Sequence, residues 1–415
     1  MLPFSLSPSP PRREGKTSGL RFCSFVLLLL LLAGTSPARA QLSDEAQISL
    51  ITILPGDAVY SLWGHSALRV YDPLQNYDRA FNYGTFAFGN PLAFVAKFSY
   101  GQLDYILSIQ SYPALADVSW NHQGRPVIEQ VLRLDAAQRN TLFRFLQNNA
   151  LPEHRSYRYN FLFDNCSTRI RDAFETLLGD AVTFAPEPNP GLSFRHLIDP
   201  YAAEHPFLDF GMDLGLGLPA DEIATARETM FLPMYLMEAF DHATVTIDGQ
   251  TQPLVARTDT VYWSAERATL EPSWPWPSIL LWGLFALGLW VIARDVRATR
   301  IERRLFDGLL FGVTGGAGLL IVFLWFISLH TVTHWNLNLL WAWPSHLWVA
   351  WVLIRRRRPR RLRGYLWATV LLTLALALSS FFLPQEIPAA ALPLLLLLAA
   401  RSAALAYGLG VKRET

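Results

Sequence analysis

Residues 159–170 read Tyr159-Asn160-Phe161-Leu162-Phe163-Asp164-Asn165-Cys166-Ser167-Thr168-Arg169-Ile170. Up to Phe163 the pattern is that of a half-buried strand: Arg158, Asn160 and Leu162 alternate with Tyr157, Tyr159, Phe161 and Phe163. Beyond it the period lengthens. Ile170, Ala173, Phe174, Leu177 and Leu178 form an apolar stripe at helical spacing, and Gly179 ends it. Asp164 or Asn165 is a natural N-cap between the two, which puts Cys166 in the first turn of a helix that follows a strand. The unpaired N–H groups and the dipole of a helix start favour a thiolate over a thiol, lowering the pKa from its unperturbed ~8.5. The same N–H groups can hold a developing oxyanion.

Similar signals lie on both sides. Tyr105, Leu107 and Ile109, with Leu103, alternate with Gln102, Asp104, Ser108 and Gln110 as a strand. Asp135 with Gln138 three residues later resembles a capping box, opening a helix with Leu142, Phe145, Leu146 and Asn149 on one side. Asp248-Gly249 between Thr244–Ile247 and Gln250–Val255 predicts a hairpin with a type I′ turn, with Pro253 on an edge. The fold class predicted for residues 41–272 is α+β.

The chain has 415 residues, 51% of them hydrophobic and only 17% charged, with a net charge of +1. That balance offers no basic footprint for nucleic acid and is too apolar for disorder. Its two cysteines, Cys23 and Cys166, exclude a disulfide scaffold or a multi-cysteine zinc site. Residues 1–40, with basic Arg12, Arg13, Lys16 and Arg21 before a short apolar core and Ala38-Arg39-Ala40 at its end, read as a secretory signal that would carry Cys23 away. From Trp274-Pro275-Trp276-Pro277 the composition turns apolar, and residues 273–415 read as a membrane domain. Five spans are predicted, at about 278–294, 306–329, 337–354, 365–384 and 389–409. Arginines fill the first loop (Arg294, Arg297, Arg300, Arg303, Arg304) and the third (Arg355 to Arg358, Arg360, Arg361, Arg363), whereas the second and fourth loops carry no Lys or Arg. The positive-inside rule then puts loops one and three in the cytoplasm and residues 41–272 outside, as an export signal independently requires.

A thiolate enzyme needs a base, and nine histidines are available. His65, in Ser61-Leu62-Trp63-Gly64-His65-Ser66-Ala67-Leu68-Arg69-Val70-Tyr71-Asp72, lies on a strand opposite the face of Leu68 and Val70, with Gly64 permitting close backbone approach. His196 is the runner-up, while His122, His154, His205 and His242 lie in polar, turn-like surroundings that predict surface residues. In the membrane region, Gly312, Gly315, Gly316 and Gly318 suggest close helix packing. His330, His334 and His346 suggest interfacial hydrogen bonds rather than a metal site. Asp307, near enough to the cytoplasmic end to be wet, and the deeper Arg401 are ionisable groups without an assignable role.

Gly64-His65-Ser66-Ala67-Leu68-Arg69, Phe81-Asn82-Tyr83-Gly84-Thr85-Phe86, Gly101-Gln102-Leu103-Asp104-Tyr105, Phe163-Asp164-Asn165-Cys166-Ser167-Thr168-Arg169 and Met230-Phe231-Leu232-Pro233-Met234-Tyr235-Leu236 form an ordered series. The series resembles the Lnb N-terminal periplasmic domain family, and the five-span tail resembles the membrane region of Lnb-type lipoprotein N-acyltransferases. The resemblance implies a circularly permuted papain-like (NlpC/P60-like) fold, with Cys166 as nucleophile, His65 as general base and Asn82, or as second choice Tyr83, as the residue orienting it. Tyr83, Arg69 and Asn165 become candidates for substrate binding. It further implies a protein of the bacterial inner membrane, its first domain periplasmic, that moves an acyl chain from phospholipid to the N-terminal amine of lipoproteins. The chemistry so read needs neither cofactor nor metal. Two other readings stay open: a cysteine hydrolase of cell-wall peptide or phospholipid, and a membrane-anchored binding or sensor domain without catalysis.

Overall fold

The computed structural model describes residues 41–86, 90–102, 104–264, 273–297, 303–355, 357 and 359–414. The predicted signal segment with Cys23 lies outside them, as do Leu103, Arg300, Arg356 and Arg358. The strands are β1 (Gln47–Ile53), β2 (His65–Asp72), β3 (Tyr77–Thr85), β4 (Asp104–Ser111), β5 (Val127–Leu132), β6 (Ser156–Arg158), β7 (Val182–Thr183), β8 (Thr244–Ile247), β9 (Gln250–Pro253) and β10 (Val255–Tyr262). The helices are α1 (Pro91–Tyr100), α2 (Tyr112–Asp117), α3 (Ala136–Asn149), α4 (Cys166–Leu178), α5 (Phe194–Ala202), α6 (Pro206–Gly215), α7 (Ala226–Thr229) and α8 (Pro233–Asp241). The helical region that follows holds α9 (Trp276–Arg297), α10 (Arg304–Phe326), α11 (His346–Ile354), α12 (Arg361–Ser379) and α13 (Leu392–Glu414).

Seven strands form one antiparallel sheet in the order β10-β5-β1-β2-β3-β4-β6. Both of its faces are covered. Leu50, Leu68, Val70, Phe81 and Leu107 pack with Leu142 and Leu146 of α3, Ile170 and Phe174 of α4, and Leu236 and Phe240 of α8. Ile51, Ile53, Ala67 and Ala80 point the other way, against Tyr112 and Ala116 of α2. Two-sided burial shows in β1, which is buried without a break from Ile48 to Ile53, its polar Ser49 and Thr52 included. The capping box predicted at Asp135 is complete: Gln138 N–H donates to Asp135 Oδ1 at 2.8 Å, and Asp135 N–H to Gln138 Oε1 at 3.1 Å. The hairpin also forms as predicted. Asp248 (φ 51°) and Gly249 (φ 74°) supply the two left-handed residues of its turn, and Pro253 ends the edge strand β9.

The strand predicted through Phe163 stops at Arg158. Asn160 Oδ1 accepts the N–H groups of Leu162 and Phe163, and the backbones of Asn160 and Asp164 pair with each other at 2.9 and 3.0 Å. An asparagine-initiated turn has outcompeted the ladder.

Four helices, Trp276–Arg297, Arg304–Phe326, Arg361–Phe382 and Ala389–Leu409, are long and apolar enough to cross a membrane. The third predicted span differs. It divides into a 3-10 turn (Leu337–Leu340) and the nine-residue α11, with Pro344 between them. Pro344 cannot donate, and side chains engage backbone groups on either side of the break: Asn336 Oδ1 accepts from Asn338 N–H, and His346 Nε2 lies 3.0 Å from the Trp341 carbonyl oxygen. The divided segment lies tight against α10. A Cβ on Gly318 would collide with the Ala342 carbonyl, one on Gly315 would come within 2.6 Å of the Leu347 nitrogen, and one on Gly308 within 2.8 Å of the Ile354 side chain. Gly316 faces open space, contrary to its predicted packing role, and Gly312 only touches Ala350.

Asp307 is not wet. It is fully buried with Arg401, whose Nη2 donates to its carboxylate at 3.1 Å and whose Nη1 donates to Asp295 of α9 at 2.8 Å. Arg303 closes the cluster on Asp295 at 2.7 Å.

Candidate active site

Cys166 opens α4, and Asn165 is its cap. Asn165 Oδ1 accepts the N–H groups of Ser167 (2.8 Å) and Thr168 (2.9 Å), and Thr168 Oγ1 accepts the Asn165 N–H (2.8 Å). The Asn165 amide nitrogen donates to the carbonyls of Phe161 (2.7 Å) and Phe231 (2.9 Å), so Met230–Leu232 clamps the helix start from outside. A buried side chain with every donor and acceptor engaged holds the helix in place. The structure gives Asn165 this positioning task.

His65 begins β2. Gly64 before it has φ 79°, and a Cβ there would stand 2.9 Å from the Ile53 carbonyl oxygen, so no other residue fits without strain. Trp63, edge-on to Phe161 at 4.9 Å, anchors the approach to the strand. Pairing between β2 and β3 runs only from Asp72–Tyr77 to Leu68–Phe81, and β3 is irregular between Asn82 and Thr85. The two strands therefore part at the end that carries His65, and the start of α4 enters the opening. Ser66 Oγ meets Ser167 Oγ at 3.1 Å, and a Cβ on Gly84 (φ 87°) would lie 3.8 Å from the Cys166 Cβ.

Asn82 is buried on β3, with its Oδ1 3.3 Å from His65 Nε2. With Nε2 committed there, Nδ1 is the ring nitrogen left for the sulfur. Cys166 is 9% exposed. Burial is the largest influence on its thiol and pushes the pKa up. The His65 charge, a side-chain hydrogen bond to His65, the Ser66 backbone N–H and the Ser167 hydroxyl together outweigh it and hold the thiol below its ordinary value. The structure thus brings together the three residues predicted as nucleophile, base and orienter.

The remaining candidates are placed elsewhere. Arg69 is consumed by Asp78 (2.8 Å) and Glu129 (3.0 Å), its guanidinium stacked on Tyr112 at 3.8 Å. Tyr83 is buried in the core, and its hydroxyl accepts from the Asn149 amide at 3.1 Å. His196 is exposed, held by Ser193 (2.9 Å) and Glu386 (3.1 Å). His346 is buried between Trp341 and Tyr365, whereas His330 reaches the Phe98 carbonyl, so the three membrane-region histidines do not share one place. His205, predicted at the surface, is half-buried, with Nε2 sequestered and unpaired.

Two neighbours of the thiol escaped the sequence reading. Tyr157 is buried, its hydroxyl lacks a well-formed hydrogen bond, and it lies within 4 Å of the point that a Gly84 Cβ would occupy. Burial, and then the thiol's charge, push its pKa far above the ordinary phenol value. Arg125, also buried, donates from Nε to the Leu54 carbonyl at 2.7 Å and from Nη1 to Gln123 at 3.1 Å. Among the described residues it has no carboxylate partner, and burial lowers its pKa to about 10. The aromatic at 157 reads as strand periodicity and Arg125 belongs to no motif, so neither offered a signal.

Residues 38–195 match the family described as the Lnb N-terminal periplasmic domain, and residues 269–412 the one described as the Lnb transmembrane domain. The first match contains His65, Asn82 and Cys166, and the second contains the four long apolar helices. Comparison with curated proteins and with solved structures returns no match.

Proposed function

The chain belongs to the Lnb-type family, and from that membership we propose that it is a cysteine acyltransferase of the bacterial inner membrane acting on lipoproteins. The observation that carries the proposal is the capped start of α4, where the Cys166 thiol, held below its ordinary pKa, meets an imidazole fixed by Asn82. In this reading residues 1–40 are the export signal and residues 41–272 a periplasmic domain of permuted papain-like fold. Residues 273–415 cross the bilayer five times, and the divided segment 337–354 serves as the third, broken crossing. Irregular backbone at that depth is tolerable because it lies against α10.

Acyl transfer proceeds in two steps. Cys166 gives its proton to His65, and the thiolate attacks an ester carbonyl of a phospholipid. A carbon–sulfur bond forms, the ester carbon–oxygen bond breaks, and His65 returns the proton to the departing lysophospholipid oxygen. The α-amine of a lipoprotein's N-terminal diacylglyceryl-cysteine then attacks the thioester. A carbon–nitrogen bond forms, the carbon–sulfur bond breaks, and the amine's proton passes through His65 to the departing sulfur, which restores the thiol and the neutral imidazole. The Cys166 backbone N–H, one of the unpaired donors of the helix start, stabilises the oxyanion, and the Tyr157 hydroxyl is a second donor. Because both substrates are lipids of one leaflet, anchoring the enzyme there raises their effective concentration.

The test is mass spectrometry of lipoprotein N-termini from cells whose only N-acylating enzyme is this protein. Triacylated N-termini are expected with the wild type and diacylated ones with Cys166→Ala or His65→Ala. Diacylated N-termini with the wild type present would reject the assignment.

A further inference from the structure

Helix α1 reads Pro-Leu-Ala-Phe-Val-Ala-Lys-Phe-Ser-Tyr, with one charge in ten residues. Leu92 is 82% exposed, Val95 58% and Phe98 49%, and Ala93, Ala96 and Lys97 are exposed as well. Ten residues are too few for a helix to persist alone in water, and a helix that is apolar on nearly every side belongs in an apolar medium. Its ends are nevertheless well made. Asn90 Oδ1 accepts the N–H groups of Leu92 and Ala93, Pro91 takes the first position, and Gly101 closes the helix at φ 79°.

The helix is moored to the end of a candidate span. The Ser99 carbonyl accepts from Ser328 Oγ at 2.7 Å, the Tyr100 carbonyl from the Leu329 N–H at 2.9 Å, and the Phe98 carbonyl lies 2.6 Å from His330 Nε2. Residues 328–330 directly follow α10. The exposed Phe326, Ile327 and Leu329 continue the apolar surface of α1 onto that span.

At its other end the same insertion leads to the thiol. Gly84 abuts Cys166, and the six residues from there to Asn90 reach at most about 21 Å. On the return limb Tyr105, four residues after Gly101, stacks at 4.2 Å on Tyr159, which itself borders Gly84.

We propose that α1 lies in the interfacial layer of the bilayer, its apolar side chains among lipid, and forms the path by which an acyl chain reaches Cys166. Lys97 extends its ammonium to the water side. Insertion requires only that α10 cross the membrane, whereas the delivery role rests on the acyltransferase reading.

The experiment uses the full chain in vesicles of phosphatidylethanolamine and phosphatidylglycerol. In a Cys23→Ser, Cys166→Ser background, an environment-sensitive fluorophore is attached at Leu92→Cys or Val95→Cys, with the exposed Asp180→Cys as the aqueous reference. Blue-shifted emission quenched by brominated lipid is expected at 92 and 95 and not at 180. Emission at 92 and 95 matching that at 180 would overturn insertion, and so would a blue shift without bromolipid quenching, since a protein neighbour would then be the cover. In the otherwise wild-type chain, Leu92→Asp with Val95→Asp is expected to lower acyl adduct formation from vesicle phospholipid about tenfold or more, with iodoacetamide labelling of Cys166 unchanged. An unchanged adduct rate would overturn delivery. Quenching at 92 and 95 in a protein whose wild type forms no adduct would reject the acyltransferase reading and leave insertion standing.

Discussion

At the start of α4, Cys166 shares a partly open site with His65 and Asn82. In the helical region, Arg401 is locked, 0% exposed, between Asp295 and Asp307. Both are polar groups in apolar surroundings, yet their hydrogen bonding differs. Among the described residues, two guanidinium and two carboxylate groups of the Arg401 cluster pair off and hold three helices, α9, α10 and α13, together. The thiol site leaves capacity unused: the Cys166 N–H is left over when Asn165 takes those of Ser167 and Thr168, and the buried Tyr157 phenol lacks a well-formed hydrogen bond. A completed polar network fixes structure, and an incomplete one on a rigid frame is available for chemistry.

Substitutions should therefore separate the two regions. Cys166→Ala is expected to remove acyl transfer to background, a loss of about 10⁴-fold or more, while stability changes by no more than about 1 kcal/mol in denaturant titration. A loss of fold instead would return Cys166 to the core. Arg401→Leu should do the reverse. It strands the buried Asp307 carboxylate, leaving Asp295 with Arg303 alone, and is expected to cost about 3–5 kcal/mol in detergent-solubilised unfolding, most of it recovered by adding Asp307→Asn. Asn82→Ala is expected to lower kcat/KM by about 10²-fold, with the thiol's alkylation profile moving to higher pH as the imidazole loses its anchor. That shift has a definite sign. The folded thiol's pKa is depressed, so wild-type alkylation should stay fast below pH ~8.5. In His65→Ala only the Ser66 N–H and the Ser167 hydroxyl are left to oppose burial, and the midpoint should rise.

The smallest effect is expected at Asp199. Burial, then Asp213 and Asp209, raise its pKa to about 8. The folded state thus holds a proton that the unfolded chain releases near pH 4, and stability from this group falls as pH rises from about 4 to 8. Asp199→Asn should raise the Tm at pH 8 and leave it nearly unchanged at pH 4. An equal gain at both would show that charge is not the cause.

The parts of the protein legible in its sequence are those governed by near neighbours. The Asp135 cap, a cap at Asp164 or Asn165, the Asp248-Gly249 turn and the strand that carries His65 each depend on a few consecutive residues, and each forms, with Asn165 taking the cap and the strand starting at His65. Asn82 was placed by resemblance, and the structure supplies its reason, a bulged β3 that parts from β2. What escaped was decided at a distance or by competition. The 159–163 alternation yielded to the Asn160 turn, and hydropathy could not register that Pro344 divides the third apolar stretch. Asp307 read as wet because Asp295 and Arg401, its partner residues in the cluster, come from other helices. Helix α1 read as nothing, since ten mostly apolar residues carry no amphipathic period.

Intact-protein mass spectrometry after incubation with phospholipid vesicles tests the central claim most directly. The account expects Cys166 to gain the mass of one fatty acyl chain, released by neutral hydroxylamine and absent from both Cys166→Ala and His65→Ala. A wild-type protein, embedded in the membrane and labelled by iodoacetamide, that stays unacylated would contradict it.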